Sequence, residues 1–469
     1  MASLIRDITE RIKNGQTSAR AEVERALRAA KENSDLHAML ELFEDEALAH
    51  ADEIDKKIKN GGAVGRLVGV PYVAKDNFLT RIGHTTAAAK ILENFQSPID
   101  ATAIDRINQE DAILIGKTNL DAFAHGGSTE NSAFGPTHNA IDFERVAGGS
   151  SGGSAVAVAA GIVPFALGSD TGGSIRQPAS FNGVVGFKPT YGLISRYGVV
   201  AMASSTDVVG PLAKTVEDAE ILTDILAGQD KKDGTVYPDF FKPQPTNSTD
   251  RPTVGIIKDF MSSGVDKDVV RRTSEAVDKL KAAGYTVKEV ELPVAKYALA
   301  IYYIVVPAEL SSNLARYDGI RYGLRSTKAK DLNDIYGLSR SEGFMPENKR
   351  RIMIGAYVLS SGYFDAYYLK AQRARTLLIN EFNKLFDHYD FLICPTAPTP
   401  AFRLGENTAD PLKMYLADAM TVPASLAGLP AISIPNGNSN TGLPIGLQLI
   451  GKAKDDAKLL AFAKVVEEL

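Results

Sequence analysis

Apolar positions recur along this chain with two different periods. Across the first 60 residues, Leu, Ile and Ala return at three- and four-residue spacing in Arg20–Ala30 and again in Asp45–Ile58, which predicts amphipathic helices. Asn60-Gly61-Gly62 then ends the second of them, so residues 1–60 are expected to form a helical segment. Beyond it the period shortens. Leu67–Ala74 is an apolar run with β-branched residues, Ile104–Asn108 a helical fragment and Ala112–Ile115 a second apolar run, which is strand–helix–strand order. The order returns later in the chain. Val269, Val270, Thr273, Val277 and Leu280 line one helix face before Gly284, and Tyr285–Leu292 alternates. Phe391–Ile393, Ile432–Ile434 and Leu447–Ile450 read as buried strands. The expected fold class is α/β, with one large mixed sheet flanked by α-helices.

Between Gly228 and Pro252 the chain crowds Asp, Lys, Pro, Asn, Ser and Thr ahead of a strand at Val254–Ile257, which marks a loop or linker. Both sides use the same α/β pattern and can share one sheet. The expected organisation is a single unit over 1–469: a helical segment at 1–60, a core at 61–227, a loop or linker at 228–252, and a second α/β part at 253–469 that completes the sheet.

With 469 residues, 44% apolar and 23% charged, the chain is long enough for a large core and is unlike disordered, collagenous or disulfide-stapled sequences. A net charge of −5 argues against unaided grip on nucleic acid, which needs a basic surface. The one cysteine, Cys394, cannot pair within the chain, and Met-Ala-Ser-Leu-Ile-Arg-Asp is no signal peptide, so a reducing, cytoplasmic location is expected. Cys394 follows an apolar run and is expected in the core. The most apolar stretch, Ala155–Leu167, has 13 residues and a proline, short of the ~20 that cross a bilayer, so no membrane association is expected. The six histidines show no metal-ligand spacing, and no metal is expected.

Chemistry concentrates between Gly148 and Gly192, where 11 of 45 residues are glycine. Glycines let successive N–H groups face one concavity, the backbone device that binds phosphates or stabilises an oxyanion. Gly148-Gly149-Ser150-Ser151-Gly152-Gly153-Ser154 fails as a phosphate-binding loop, because Ser154 stands where that motif needs lysine. Gly148–Gly152 formally fits a nucleophile elbow at Ser150, leading into a helix at Gly153–Gly161. Its histidine would have to be His388, the only one downstream, in what reads as a helix end.

A third reading joins that string to Gly168-Ser169-Asp170-Thr171-Gly172-Gly173-Ser174-Ile175-Arg176-Gln177-Pro178 and to Lys75 in Gly69–Asn77. Together the three resemble the amidase signature family, whose hydrolases use a Ser–Ser–Lys triad. Ser174 lies 24 residues after Ser150, and Lys75 lies 75 before it. The resemblance implies the amidase-signature fold, Ser174 as nucleophile, Ser150 as a bridging serine on a cis peptide, and Lys75 as base. It also implies an oxyanion hole from the N–H groups of Thr171, Gly172, Gly173 and Ser174. Lys75 ends an apolar strand, where desolvation lowers a lysine pKa toward the range of a general base. Ser151, Ser154 and Asp170 are expected to brace the loops.

Within the family the similarity is greatest to glutamine-hydrolysing subunits of tRNA-dependent amidotransferases, through Phe123–Ser132, Val185–Gly192, Tyr317–Gly323 and Leu359–Tyr363. That implies ammonia released from glutamine for amidation of tRNA-bound glutamate or aspartate, in a heterotrimer with subunits B and C. It further implies no cofactor in this chain, ATP and magnesium used by a partner subunit, and tRNA reached through the complex. A free amino acid substrate presents a carboxylate and an ammonium, which need a fixed cation and a fixed anion. The family's glutamine site carries these onto Arg351 and Asp418, with Tyr302 and Ser128 as supporting groups. Arg350–Arg351 also reads as a solvated helix face, and Tyr303 competes with Tyr302. The other readings are a free-standing amidase on small amides and an idle scaffold subunit, which would have lost Lys75 or Ser174.

Overall fold

Eleven strands lie side by side in one mixed sheet in the computed structural model, which describes residues 2–238, 241–244, 251–262 and 264–469. They are β1 (Met39–Leu42), β2 (Pro71–Lys75), β3 (Ile113–Thr118), β4 (Phe165–Asp170), β5 (Val185–Lys188) and β6 (Val208–Ala213), followed by β7 (Thr253–Ile257), β8 (Thr286–Val290), β9 (Phe391–Pro395), β10 (Ala431–Asn438) and β11 (Pro444–Gly451). Their order across the sheet is β1-β3-β2-β4-β6-β5-β10-β11-β9-β7-β8. Strands on both sides of residues 228–252 therefore belong to one sheet, joined where β5 pairs antiparallel with β10. Within the expected linker, residues 239–240 and 245–250 lie outside the described residues. The central strands β2, β3, β4 and β6 are buried along their whole length, which is why β2 and β3 read as continuous apolar runs.

The segment 1–60 departs from the all-helical expectation. Helices do cover Leu4–Lys13, Ala19–Glu32 and Glu44–Lys59, the first two capped by Ser3 and Ser18. Between them β1 adds antiparallel to β3, an edge pairing made by a partner more than 70 residues away and too short for its own periodicity to show. The run at 67–74 also begins its strand late, at Pro71. Gly69 turns there with φ +70°, and a Cβ on it would lie 2.5 Å from Ile12 Cδ1. The apolar stretch Ala155–Leu167 is a helix (Gly152–Ala159), a turn and the start of β4. Periodicity points to neither that strand nor β5 and β6.

A further correction concerns length and apolarity. Pro293–Arg316 is long and apolar enough to cross a membrane by length and composition, and half of its most apolar 18 residues are buried. Its helix Ala298–Asn313 buries Ile301, Tyr302, Val305, Val306 and Leu310 and packs on the helices Pro346–Val358 and Lys370–Phe386. At the crossing with Pro346–Val358 only glycine fits, since a Cβ on Gly355 would lie 1.9 Å from the Pro307 carbonyl oxygen. This crossing holds Tyr302, Tyr303 and Arg351 in one neighbourhood.

Candidate active site

Parallel pairing of β2 with β4 brings the carboxyl ends of the two strands to the same edge, the end of an α/β sheet where ligands bind. Lys75 closes β2, and Ser169-Asp170 closes β4. Lys75 is completely buried. Its Nζ lies 2.8 Å from Ser150 Oγ, 2.9 Å from Ser151 Oγ and 3.0 Å from Ser169 Oγ, with the Ser169 carbonyl at 3.3 Å. Burial lowers the lysine pKa to about 7, and the more distant carboxylates of Asp121, Asp170 and Asp207 only partly offset it. The adjacent Asp76 pairs with Lys117 at 2.8 Å instead.

Ser150 and Ser151 precede the helix Gly152–Ala159, which packs on β2 and β4 and so delivers both hydroxyls to Lys75. The Gly149–Ser150 peptide is cis. Gly149 is pressed onto the turn at 128–129: a Cβ there would lie 2.1 Å from Asp121 Oδ2 and 2.7 Å from Ser128 N. Gln177 ties the same parts together, accepting from Gly149 N at 2.9 Å and donating to the Gly127 carbonyl at 2.7 Å. Ser151 does brace the loop, donating to the Ser169 carbonyl at 3.1 Å, and it is also a direct partner of Lys75. Ser154 braces, at 2.7 Å from Thr118 Oγ1 and 3.1 Å from the Leu167 carbonyl.

Ser174 follows β4 on a turn wrapped around Asp170. That carboxylate accepts from Gly173 N (2.9 Å), Ile175 N (3.1 Å) and both Nε and Nη2 of Arg176 (3.0 and 2.9 Å). Burial works to raise the Asp170 pKa, and the Arg176 guanidinium overrides it, holding the carboxylate below its ordinary range. Ser174 is 8% exposed, its hydroxyl carries no hydrogen bond among the described residues, and its carbonyl accepts from Ser151 N at 3.0 Å. The turn needs both glycines. Gly173 has φ +140°, and a Cβ there would lie 2.2 Å from Thr421 Oγ1; one on Gly172 would lie 2.7 Å from Tyr302 Cζ. One expected oxyanion donor is engaged elsewhere, because the Gly173 N–H points at Asp170. The N–H groups of Thr171, Gly172 and Ser174 carry no such bond among the described residues.

The expected pocket groups converge on this turn. Arg351 is buried, its Nε donates to Glu347 at 2.8 Å, and its guanidinium lies over the rings of Tyr303 (5.1 Å) and Tyr415 (5.6 Å). Arg350 is different: its side chain is 45% exposed against 4% for Arg351, so only the former is a solvated face. The two tyrosines also separate, since Tyr302 abuts Gly172 whereas Tyr303 stacks on Tyr415 beneath Arg351. Asp418 Oδ1 is buried and has no hydrogen-bond partner. Burial pushes this carboxyl up to about 8, with Arg351 drawing it back. Ser128 is buried beside it, its N–H 3.3 Å from Asp121 Oδ2, and a Cβ on the preceding Gly127 would lie 3.5 Å from Asp418 Oδ2.

His388 is exposed just past the helix Lys370–Phe386, and the Ser150 hydroxyl faces Lys75 instead. Cys394 is buried. Among the described residues no group of three or more His, Cys, Asp or Glu side chains is placed to hold a metal ion. Several groups at the site escape sequence reasoning: Ser169, Thr421, Glu347, Asp121, and His125 with its partner Asn348. Ser169 and His125 sit inside strings already singled out and Asp121 beside one, though none was given a role; Thr421, Glu347 and Asn348 come from distant segments with no local signal.

The sequence profile of the Amidase family matches residues 21–460. In Thermosynechococcus vestitus, the A-type subunit of glutamyl-tRNA(Gln) amidotransferase is 51% identical over 448 residues, 94% of this chain and 92% of the relative. Among solved structures, the corresponding glutamyl-tRNA(Gln) amidotransferase subunit from Thermotoga maritima superposes with a TM-score of 0.80 at 40% identity, covering 96% of this chain and 91% of that one. The peptide amidase of Stenotrophomonas maltophilia superposes with 0.84 at 28% identity, covering 98% and 96%.

Proposed function

The chain belongs to the amidase family, and on that footing we propose that it is the glutamine-hydrolysing subunit of a tRNA-dependent amidotransferase, with Lys75, Ser150 and Ser174 as its triad. The observation that carries the chemistry is the fully buried Lys75 ammonium site 2.8 Å from Ser150 Oγ, with a pKa of about 7 that leaves the neutral amine well populated. Neutral Lys75 takes the proton of Ser150 as Ser150 takes that of Ser174. Ser174 Oγ then bonds to the side-chain amide carbon of glutamine. The oxyanion is held by N–H groups of the Thr171–Ser174 turn, whose shape Asp170 fixes. As the tetrahedral intermediate collapses, the C–N bond breaks and the proton returns through Ser150 to the nitrogen, which leaves as ammonia. Water, activated through the same relay, cleaves the glutamyl ester of Ser174 to give glutamate and the free serine.

Arg351 forks onto the substrate carboxylate and Asp418 pairs with its ammonium, with Tyr302 and Ser128 lining the space between pocket and turn. Two partner subunits, B and C, complete the enzyme; one of them uses ATP and magnesium to activate the tRNA-bound glutamate or aspartate that takes up the ammonia. No cofactor is required in this chain, tRNA is reached through the complex, and the work is done in the cytoplasm. The deciding experiment is ammonia release from glutamine by the purified chain alone and with the partner subunits, ATP and charged tRNA. Strong stimulation by the partners is expected. Equal, vigorous turnover of glutamine and simple amides by the chain alone would place it among free-standing amidases.

A further inference from the structure

His125 follows the short 3-10 turn Ala122–Ala124 and is completely buried. One edge of its ring is tied down, with Asn348 Nδ2 2.6 Å from Nδ1. The orientation of that amide is set by two other bonds. Asn348 Oδ1 accepts from Met345 N at 3.1 Å, and Nδ2 donates to the Ala122 carbonyl at 2.8 Å. An N–H therefore faces Nδ1, which must accept, and the proton of the neutral ring sits on Nε2. That Nε2 is buried and has no hydrogen-bond partner. Folded proteins rarely leave such a donor unsatisfied, so it calls for an acceptor the chain itself does not supply.

Arg351 stands beside it. Asn348 and Arg351 are three residues apart, one turn along the helix Pro346–Val358, so the residue that fixes the imidazole and the guanidinium share a helix face. Only Nε of Arg351 is engaged by a carboxylate; its two terminal nitrogens carry no hydrogen bond among the described residues. Burial and the Arg351 charge together keep the His125 pKa well below its ordinary value, so the ring is a neutral donor. A neutral N–H next to an arginine fork supplies a third donor to an anion without a second positive charge that would repel the first.

We infer that His125 belongs to the substrate pocket, presenting Nε2–H to the same carboxylate that Arg351 forks, so that the pocket selects amino-acid amides over amides lacking an α-carboxylate. The inference rests on the glutamine-hydrolase reading above and deepens it. His125→Asn keeps an acceptor where Nδ1 stands and removes the distal donor; His125→Gln places an amide N–H where Nε2 stands. The full chain, with its partner subunits, is assayed with glutamine and with 4-aminobutanamide, which is glutamine without its carboxylate. H125N is expected to raise KM for glutamine about tenfold or more, the effect of losing a hydrogen bond to a charged group, with little change in kcat and none in turnover of 4-aminobutanamide. H125Q is expected to recover most of the loss. Equal losses on both substrates, or an unchanged KM for glutamine in H125N, overturn the inference. If H125N does not fold, H125Q against His125→Met makes the same comparison. A wild-type enzyme that handles 4-aminobutanamide as well as glutamine refutes the glutamine reading itself, which the variant comparison does not.

Discussion

The ring of Tyr302 is the wall against which the turn before Ser174 is seated: a Cβ on Gly172 would come within 2.7 Å of Tyr302 Cζ and 2.8 Å of its hydroxyl oxygen. Tyr302 comes from the long buried helix Ala298–Asn313, so the second half of the chain sets the position of a loop in the first. Gly172→Ala is expected to lower kcat/KM for glutamine about 100-fold or more, because a displacement of the turn by about 1 Å misplaces both nucleophile and oxyanion donors. Tyr302→Ala in that background relieves the clash, so the double variant is expected to lose less than the product of the single losses. Independent, multiplying losses would show that this contact does not position the turn.

Ser174→Ala is expected to abolish ammonia release from glutamine with the thermal unfolding midpoint retained, and Lys75→Ala to come close to it. His388→Ala, an exposed position beyond a helix end, is expected to leave activity unchanged. Full activity in either triad variant would dismiss the Ser–Ser–Lys arrangement. A dead His388→Ala would bring back a serine–histidine enzyme.

Lys75 must be neutral to accept a proton, and its pKa is about 7. Turnover is therefore expected to rise about tenfold per pH unit below 7 and to level off above it, lacking the fall that titration of an essential acid near neutrality would bring. The same shift bears on stability. Between about 7 and 10.5 the unfolded chain binds a proton at Lys75 that the folded chain does not, so wild-type stability falls as pH falls through that window. Measured against Lys75→Met, the wild type is expected to lose ground from about pH 10 down to about 7 and then hold a constant difference. A pH-independent difference would mean that Lys75 is charged in the folded protein.

In the pocket, Arg351→Ala is expected to raise KM for glutamine about 100-fold or more, and Arg350→Ala to have little effect, matching side-chain exposures of 4% and 45%. In the proposed pocket Asp418 would pair with the substrate ammonium only when ionised, and burial pushes its pKa up to about 8. KM is therefore expected to fall as pH rises from about 6 to about 8, and Asp418→Asn to be weak throughout and free of that dependence. An Arg351→Ala enzyme with unchanged KM would remove the carboxylate site from this part of the molecule.

The α/β class and most buried strands were legible because period-2 and period-3.6 patterns survive wherever an element packs on one large core; β7 to β11 all lie where alternation or apolar runs placed them. Strand β1 was not, since four half-buried residues between two helices carry no period and are held by β3. The strings around Ser150 and Ser174 stood out because close backbone approach there demands glycines and serines, and Lys75 stood out as a lysine ending an apolar strand. Thr421, Glu347 and Asn348 did not, because a single polar residue in a helix or at its start looks the same whether it faces water or a buried partner.

Chain order alone carries the chemical inventory: a lysine at the end of an apolar strand, two serine-bearing glycine turns, one arginine and one aspartate of the right charge for an amino acid. The neighbours each group meets are a matter of folding. Parallel pairing of β2 and β4 makes Lys75 share its proton site with three serines and not with Asp76. The helix crossing at Gly355 chooses Arg351 over Arg350 and sends Tyr302 and Tyr303 to different tasks. Desolvation and charge pairing, which set these pKa values, depend on three-dimensional distance, and chain position does not encode it.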